Sequence, residues 1–129
     1  MNVAQMNLLA GWIGMLGGVI SGAVLGLFFH DDHWFGGYGS YRRRLLRLGH
    51  ISFFGLGFIN ILYGLTLGQV TFAPQIASGI GASFLVGAGT MPICCFLAAW
   101  KKPLRQLFAI PVLAIGGALV AMLIGWCLR

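Results

Sequence analysis

Four stretches of this chain are each long enough to cross a bilayer while carrying almost no charge. They run roughly Leu8–Phe29, Leu45–Leu67, Ile76–Ala99 and Leu107–Cys127. About 30 Å of hydrocarbon takes about 20 helical residues. None of the four contains Asp, Glu or Lys, and the one Arg among them, Arg47, falls in the first turn of the second. Helices satisfy their backbone polar groups internally, as hydrocarbon demands. A β-barrel would need apolar and polar residues to alternate, and these runs are apolar on every face. The expectation is an all-α integral membrane four-helix bundle, a single transmembrane domain over residues 1–129. At 59% hydrophobic and 8% charged, a chain of 129 residues has more apolar surface than a soluble fold of that size can hide. That excludes a soluble enzyme and a nucleic-acid binder, so the net charge of +6 needs another origin.

The placement of the bases supplies it. Arg42, Arg43, Arg44 and Arg47 sit at the first connection, and Lys101, Lys102 and Arg105 at the third. The tail Met1–Asn7 and the second connection, Gly68–Gln75, have no charged side chain, which leaves only Arg129 on that side. Basic loops stay in the cytoplasm. Both termini are therefore expected outside an inner or plasma membrane, with the seven clustered bases against lipid headgroups. Trp12 and Trp126 are expected at the outer ends of the spans, and Trp34 and Trp100 at the inner ends. The first span is expected to stay rather than be cleaved at Ser21-Gly22-Ala23, because no basic segment precedes it and its apolar run continues to Phe29. Cys94, Cys95 and Cys127 all fall within spans and read as small apolar filler rather than a disulfide framework.

Twenty-one glycines suggest how the spans associate. Gly14, Gly18, Gly22 and Gly26 recur every four residues in the first span, and Gly57 and Gly64 are seven apart in the second. The third carries Gly79, Ser83 and Gly87, and the fourth Gly117, Ala121 and Gly125. Such grooves let backbones approach closely where lipid removes the usual hydrophobic drive. They serve packing within the chain first, and self-association or contact with other membrane subunits second. Pro92 is expected to kink the third span, whereas Pro111, near the start of the fourth, costs less.

Polar residues inside a membrane are costly and often functional. No carboxylate is buried, which argues against proton-coupled export through an embedded Glu and against two-carboxylate hydrolysis. His50 shares a helical stripe with Phe53, Gly57, Asn60 and Gly64, and a simple antiparallel hairpin brings His30 to nearly its depth. Two imidazoles at one depth could ligate haem b, although His50 more simply hydrogen-bonds a neighbouring helix or faces a wet inner cavity. The segment holding His30, Asp31, Asp32 and His33 has the ligand types for a divalent metal, or its acids offset Arg42–Arg44. The glycine-rich Phe35–Tyr41 segment has no phosphate-binding signature. Asn60, Tyr63, Ser83 and Thr90 lie near mid-bilayer and could line a polar pathway. The expected role is a non-enzymatic subunit or assembly factor of a larger membrane complex. A redox carrier using His50 with His30, and a small-solute channel or transporter, are the alternatives.

Overall fold

Asn2 and Gln5 close a reciprocal cap that sets the start of the first helix. The Asn2 side-chain oxygen accepts from the Gln5 amide at 2.9 Å, and the Gln5 side-chain oxygen accepts from the Asn2 amide at 3.1 Å. Helix α1 accordingly spans Val3–Gly26, displaced toward the N-terminus from the expected Leu8–Phe29. At the second helix the Ser40 hydroxyl accepts from the Arg43 amide at 3.2 Å, so α2 spans Tyr41–Thr66 and takes Arg42, Arg43 and Arg44 into its first turn. Pro74 opens α3, which runs to Trp100. Helix α4 spans Ala109–Cys127. Short 3-10 segments at Trp34–Gly36, Leu67–Gln69 and Lys102–Phe108 complete the connections. This computed structural model describes residues 1–128. Arg129, the lone base expected opposite the basic loops, lies outside the described residues. The chain is all-helical, and all four helices are long and apolar enough to cross a membrane.

The helices pack largely in chain order. Between α1 and α2 the register is antiparallel and constant: Gly22 meets His50, Gly18 meets Phe54, Gly14 meets Phe53 and Gly57, Gly11 meets Ile61, and Leu8 meets Gly64. Helix α3 lies on α2 through Gly49 against Cys95 and Phe96, and touches α1 where Gly81 meets Val3 and Asn7. Helix α4 rests mainly on α3, where Ile115 fills the space at Gly87. Phe72 and Val70 of the second connection tuck against Gly125. One core cluster comprises Tyr63, Ile80, Phe84 and Ala118, with Ala121 packed against it. A second, at the basic end, comprises Leu45, Ala98 and Ala99.

Several expectations change here. A Cβ added at Gly26, Gly79 or Gly117 would meet nothing within 4 Å, so these three are not packing positions within the chain. Spacing alone does not say which way a stripe faces. Trp12 is level with Asn60 and Ile61 rather than at a helix end, because α1 begins at Val3. Pro92 lies inside α3 and is fully buried. The two basic segments lie together at one end of the molecule, since Arg42 and Lys102 line the same hollow.

Candidate functional site

His50 projects from α2 into the α1 groove. Its Nδ1 is 3.1 Å from the Ser21 hydroxyl, which also lies 3.1 Å from the Gly18 carbonyl. The ring stands edge-on to Phe54, with centroids 5.5 Å apart. A Cβ on Gly22 would come within 2.6 Å of His50 Cε1. The space that the glycine row opens is therefore filled by imidazole, and His50 does hydrogen-bond the neighbouring helix. His30 is elsewhere. Its neighbour Phe29 lies under Arg43, with the guanidinium carbon 5.7 Å from the ring centroid. Arg43 precedes His50 by seven residues, about 10 Å along a helix. With Gly22 level with His50, the hairpin turns earlier than the expected spans would place it, and His30, eight residues beyond Gly22, does not come to His50.

Nor do the four ligand-type residues of the loop converge. The Asp31 carboxylate accepts from the His33 amide at 2.8 Å, closing a local turn. Among the described residues no group of three or more His, Cys, Asp or Glu is placed to hold a metal ion. The carboxylates do not neutralise Arg43 either: its guanidinium meets the backbone carbonyls of Asp31 and Asp32, each at 3.4 Å. The side chain is 4% exposed and stands among the rings of Phe29, Trp34 and Tyr38 at 5.7, 5.6 and 5.8 Å. Arg47 lies 4.1 Å from the Tyr38 centroid and donates to the Tyr38 carbonyl. Two of the seven clustered bases thus hold the loop. Arg44, Lys101 and Arg105 are exposed, while Arg42 and Lys102 face a hollow between the loops.

Toward the opposite end three polar side chains, Asn7, Asn60 and Tyr63, are buried. Asn60 donates to the Leu56 carbonyl at 2.9 Å and to the Phe84 carbonyl of α3 at 3.3 Å. The Tyr63 hydroxyl donates to the Ala77 carbonyl. Asn7, expected in the N-terminal tail, is fully buried, donates to the Val3 carbonyl at 3.0 Å and lies beside Gly81. The Asn2–Gln5 pair ahead of the apolar run was the signal that places it inside a helix. The side-chain oxygens of Asn7 and Asn60 have no hydrogen-bond partner among the described residues. Ser83 and Thr90 return their hydroxyls to the Gly79 and Val86 carbonyls of their own helix, at the surface. The four expected pathway residues thus divide between interior and surface, with the Phe84 ring packed against Tyr63. Cys95 is fully buried beside Gly49, and Cys94 directs its thiol to the Leu107 carbonyl at 3.5 Å.

The Tyr63 bond pins α2 to α3 in a place where no water competes. Tyr63→Phe should lower stability by about 1 kcal/mol, as read by thermal unfolding in detergent. Thr66→Val, which removes an exposed bond within one helix, should leave the transition unmoved.

Comparisons of the chain with protein-family models, with curated proteins and with solved structures find no match.

Proposed function

We propose that the chain is a multi-pass protein of an inner or plasma membrane, with both termini on the non-cytoplasmic side, and that it acts as a non-enzymatic subunit or assembly factor of a larger membrane complex. The observation behind this reading is a set of glycines without an internal purpose. Glycine costs a helix about 1 kcal/mol relative to alanine. Gly11, Gly57 and Gly87 offset that cost by admitting a neighbour, but a Cβ at Gly79, Gly116 or Gly117 would meet only open space. On α3, Gly79, Ser83 and Thr90 are spaced by four and seven residues and so share one face. In lipid, small residues and hydroxyls on an outer face suit a second helix better than they suit acyl chains.

The test is purification in mild detergent with mass measurement of the intact assembly. The parent chain should carry a partner, or further copies of itself, in fixed stoichiometry. The double variant Gly79→Leu/Gly117→Leu should release that partner while its own unfolding shifts by no more than about 0.5 kcal/mol. A parent chain that runs as a monomer with an activity of its own would overturn the reading. So would a partner that the double variant retains in full.

A further inference from the structure

We propose that the basic end of the bundle carries a seat for the phosphate of an anionic phospholipid, between Arg42 and Lys102. A hollow of about 470 Å³ opens there, walled by Phe35, Ser40, Tyr41, Arg42, Trp100 and Lys102. The two cationic side chains come from different elements, α2 and the segment after α3. Arg42 has no side-chain partner among the described residues. The Lys102 ammonium rests 5.7 Å from the Tyr41 centroid, in the wall of the same hollow. No acid lines it. Two uncompensated charges facing one cavity are complementary to an anion, and a guanidinium beside an ammonium suits a phosphate. The amide end of α2 adds to this. Its first turn carries Arg42, Arg43 and Arg44 and no acidic residue, so positive side chains crowd the positive end of the helix dipole, an arrangement that an anion relieves.

The walls argue for a lipid rather than a free phosphate. Phe35 has φ 53 and ψ 30, a left-handed conformation rare for a bulky residue. It is held there as its carbonyl accepts from the Ser40 hydroxyl at 2.8 Å, which keeps the ring in the hollow's wall. Trp100 is 78% exposed at the end of α3. Ile93, Leu97 and Trp100 are all exposed and spaced by four and three residues, so an apolar track runs from the hollow along one face of α3. A phosphate at the rim with acyl chains along that track matches both chemistries at once. Soluble phosphate would use only the upper half.

The inference rests on the chain being inserted in a membrane, and the experiment separates the two. The parent protein is first floated with phosphatidylcholine vesicles; failure to float would overturn insertion and the seat with it. Native mass spectrometry then follows protein from micelles equilibrated with phosphatidylglycerol, phosphatidylcholine or inorganic phosphate. One phosphatidylglycerol should be retained in preference to phosphatidylcholine. Arg42→Gln/Lys102→Gln should weaken that retention by about tenfold or more, as expected for lost charge-assisted bonds. Arg44→Gln/Arg105→Gln removes the same charge from outside the hollow and should cost no more than about twofold. Equal losses in the two variants would overturn the seat in favour of diffuse attraction. Displacement of the lipid by an equal concentration of inorganic phosphate would overturn the lipid assignment.

Discussion

Gly57→Val should destabilise the protein by about 3 kcal/mol, whereas Gly55→Val, two residues away on the same helix, should be neutral. At Gly57 an added Cβ would stand 2.9 Å from the Gly11 carbonyl oxygen and 3.2 Å from Met15 Cγ. The first of these is backbone, which cannot swing aside. The contact is reciprocal, since a Cβ at Gly11 would lie 2.7 Å from the Gly57 carbonyl oxygen. Any side chain at either position must push α1 and α2 apart along the whole line of contact from Gly22–His50 to Leu8–Gly64. At Gly55 nothing lies within 4 Å, and valine costs a helix less than glycine does. Reversible unfolding in mixed micelles, followed by circular dichroism, measures both variants. A double variant Gly11→Val/Gly57→Val should lose less than the two single losses added, because the helices need separate only once. Equal losses at Gly55 and Gly57 would contradict the register between the helices.

The contrast between Gly55 and Gly57 also marks how far the sequence could be read. Hydrocarbon thickness is a length requirement, so four nearly uncharged runs are enough to place four helices. Their ends were less legible, since counting apolar residues begins at Leu8, whereas the helix begins where Asn2 and Gln5 can satisfy its first amides. That difference puts Asn7 inside the helix rather than in the tail, and the observed register sets Gly22, not His30, level with His50. Small-residue stripes were legible as spacing but not as direction. Gly79 and Gly87 belong to one stripe, yet Gly87 receives Ile115 and Gly79 faces open space. Among the arginines, position alone did not separate Arg42, Arg43 and Arg44. Arg43 lies seven residues before His50, and His50, Phe54, Gly57, Ile61 and Gly64 continue at helical spacing along the face that meets α1. Extending that stripe one step back identifies the arginine that turns inward. The hollow between Arg42 and Lys102 could not be read this way, because it joins the start of α2 to the segment after α3, 60 residues apart in the chain.

Arg43→Ala should loosen the segment from Asp31 to Tyr38 by about 2 kcal/mol while leaving the four helices intact. The guanidinium is the shared centre of that segment. It bonds two successive carbonyls, at Asp31 and Asp32, and lies within 6 Å of three ring centroids from residues 29, 34 and 38. Alanine removes these attractions but also removes the cost of holding a charge that is 4% exposed. The net effect is therefore smaller than the contacts alone suggest. Amide exchange across residues 31–38 should speed up by roughly thirtyfold, at 1.4 kcal/mol per factor of ten, and Trp34 emission should shift to the red as its ring meets water. Arg43→Lys should recover little, because a point charge on a flexible stem cannot serve both carbonyls and stack among rings. Arg42→Ala and Arg44→Ala, whose side chains have no partner among the described residues, should leave exchange in this segment within about twofold of the parent. The same release should reach the phosphate seat. Phe35 is held in its left-handed conformation by the loop that Arg43 organises, so Arg43→Ala should weaken phosphatidylglycerol retention although Arg42 and Lys102 are both present. If exchange rises while lipid retention is unchanged, the wall formed by Phe35 has no part in holding the headgroup.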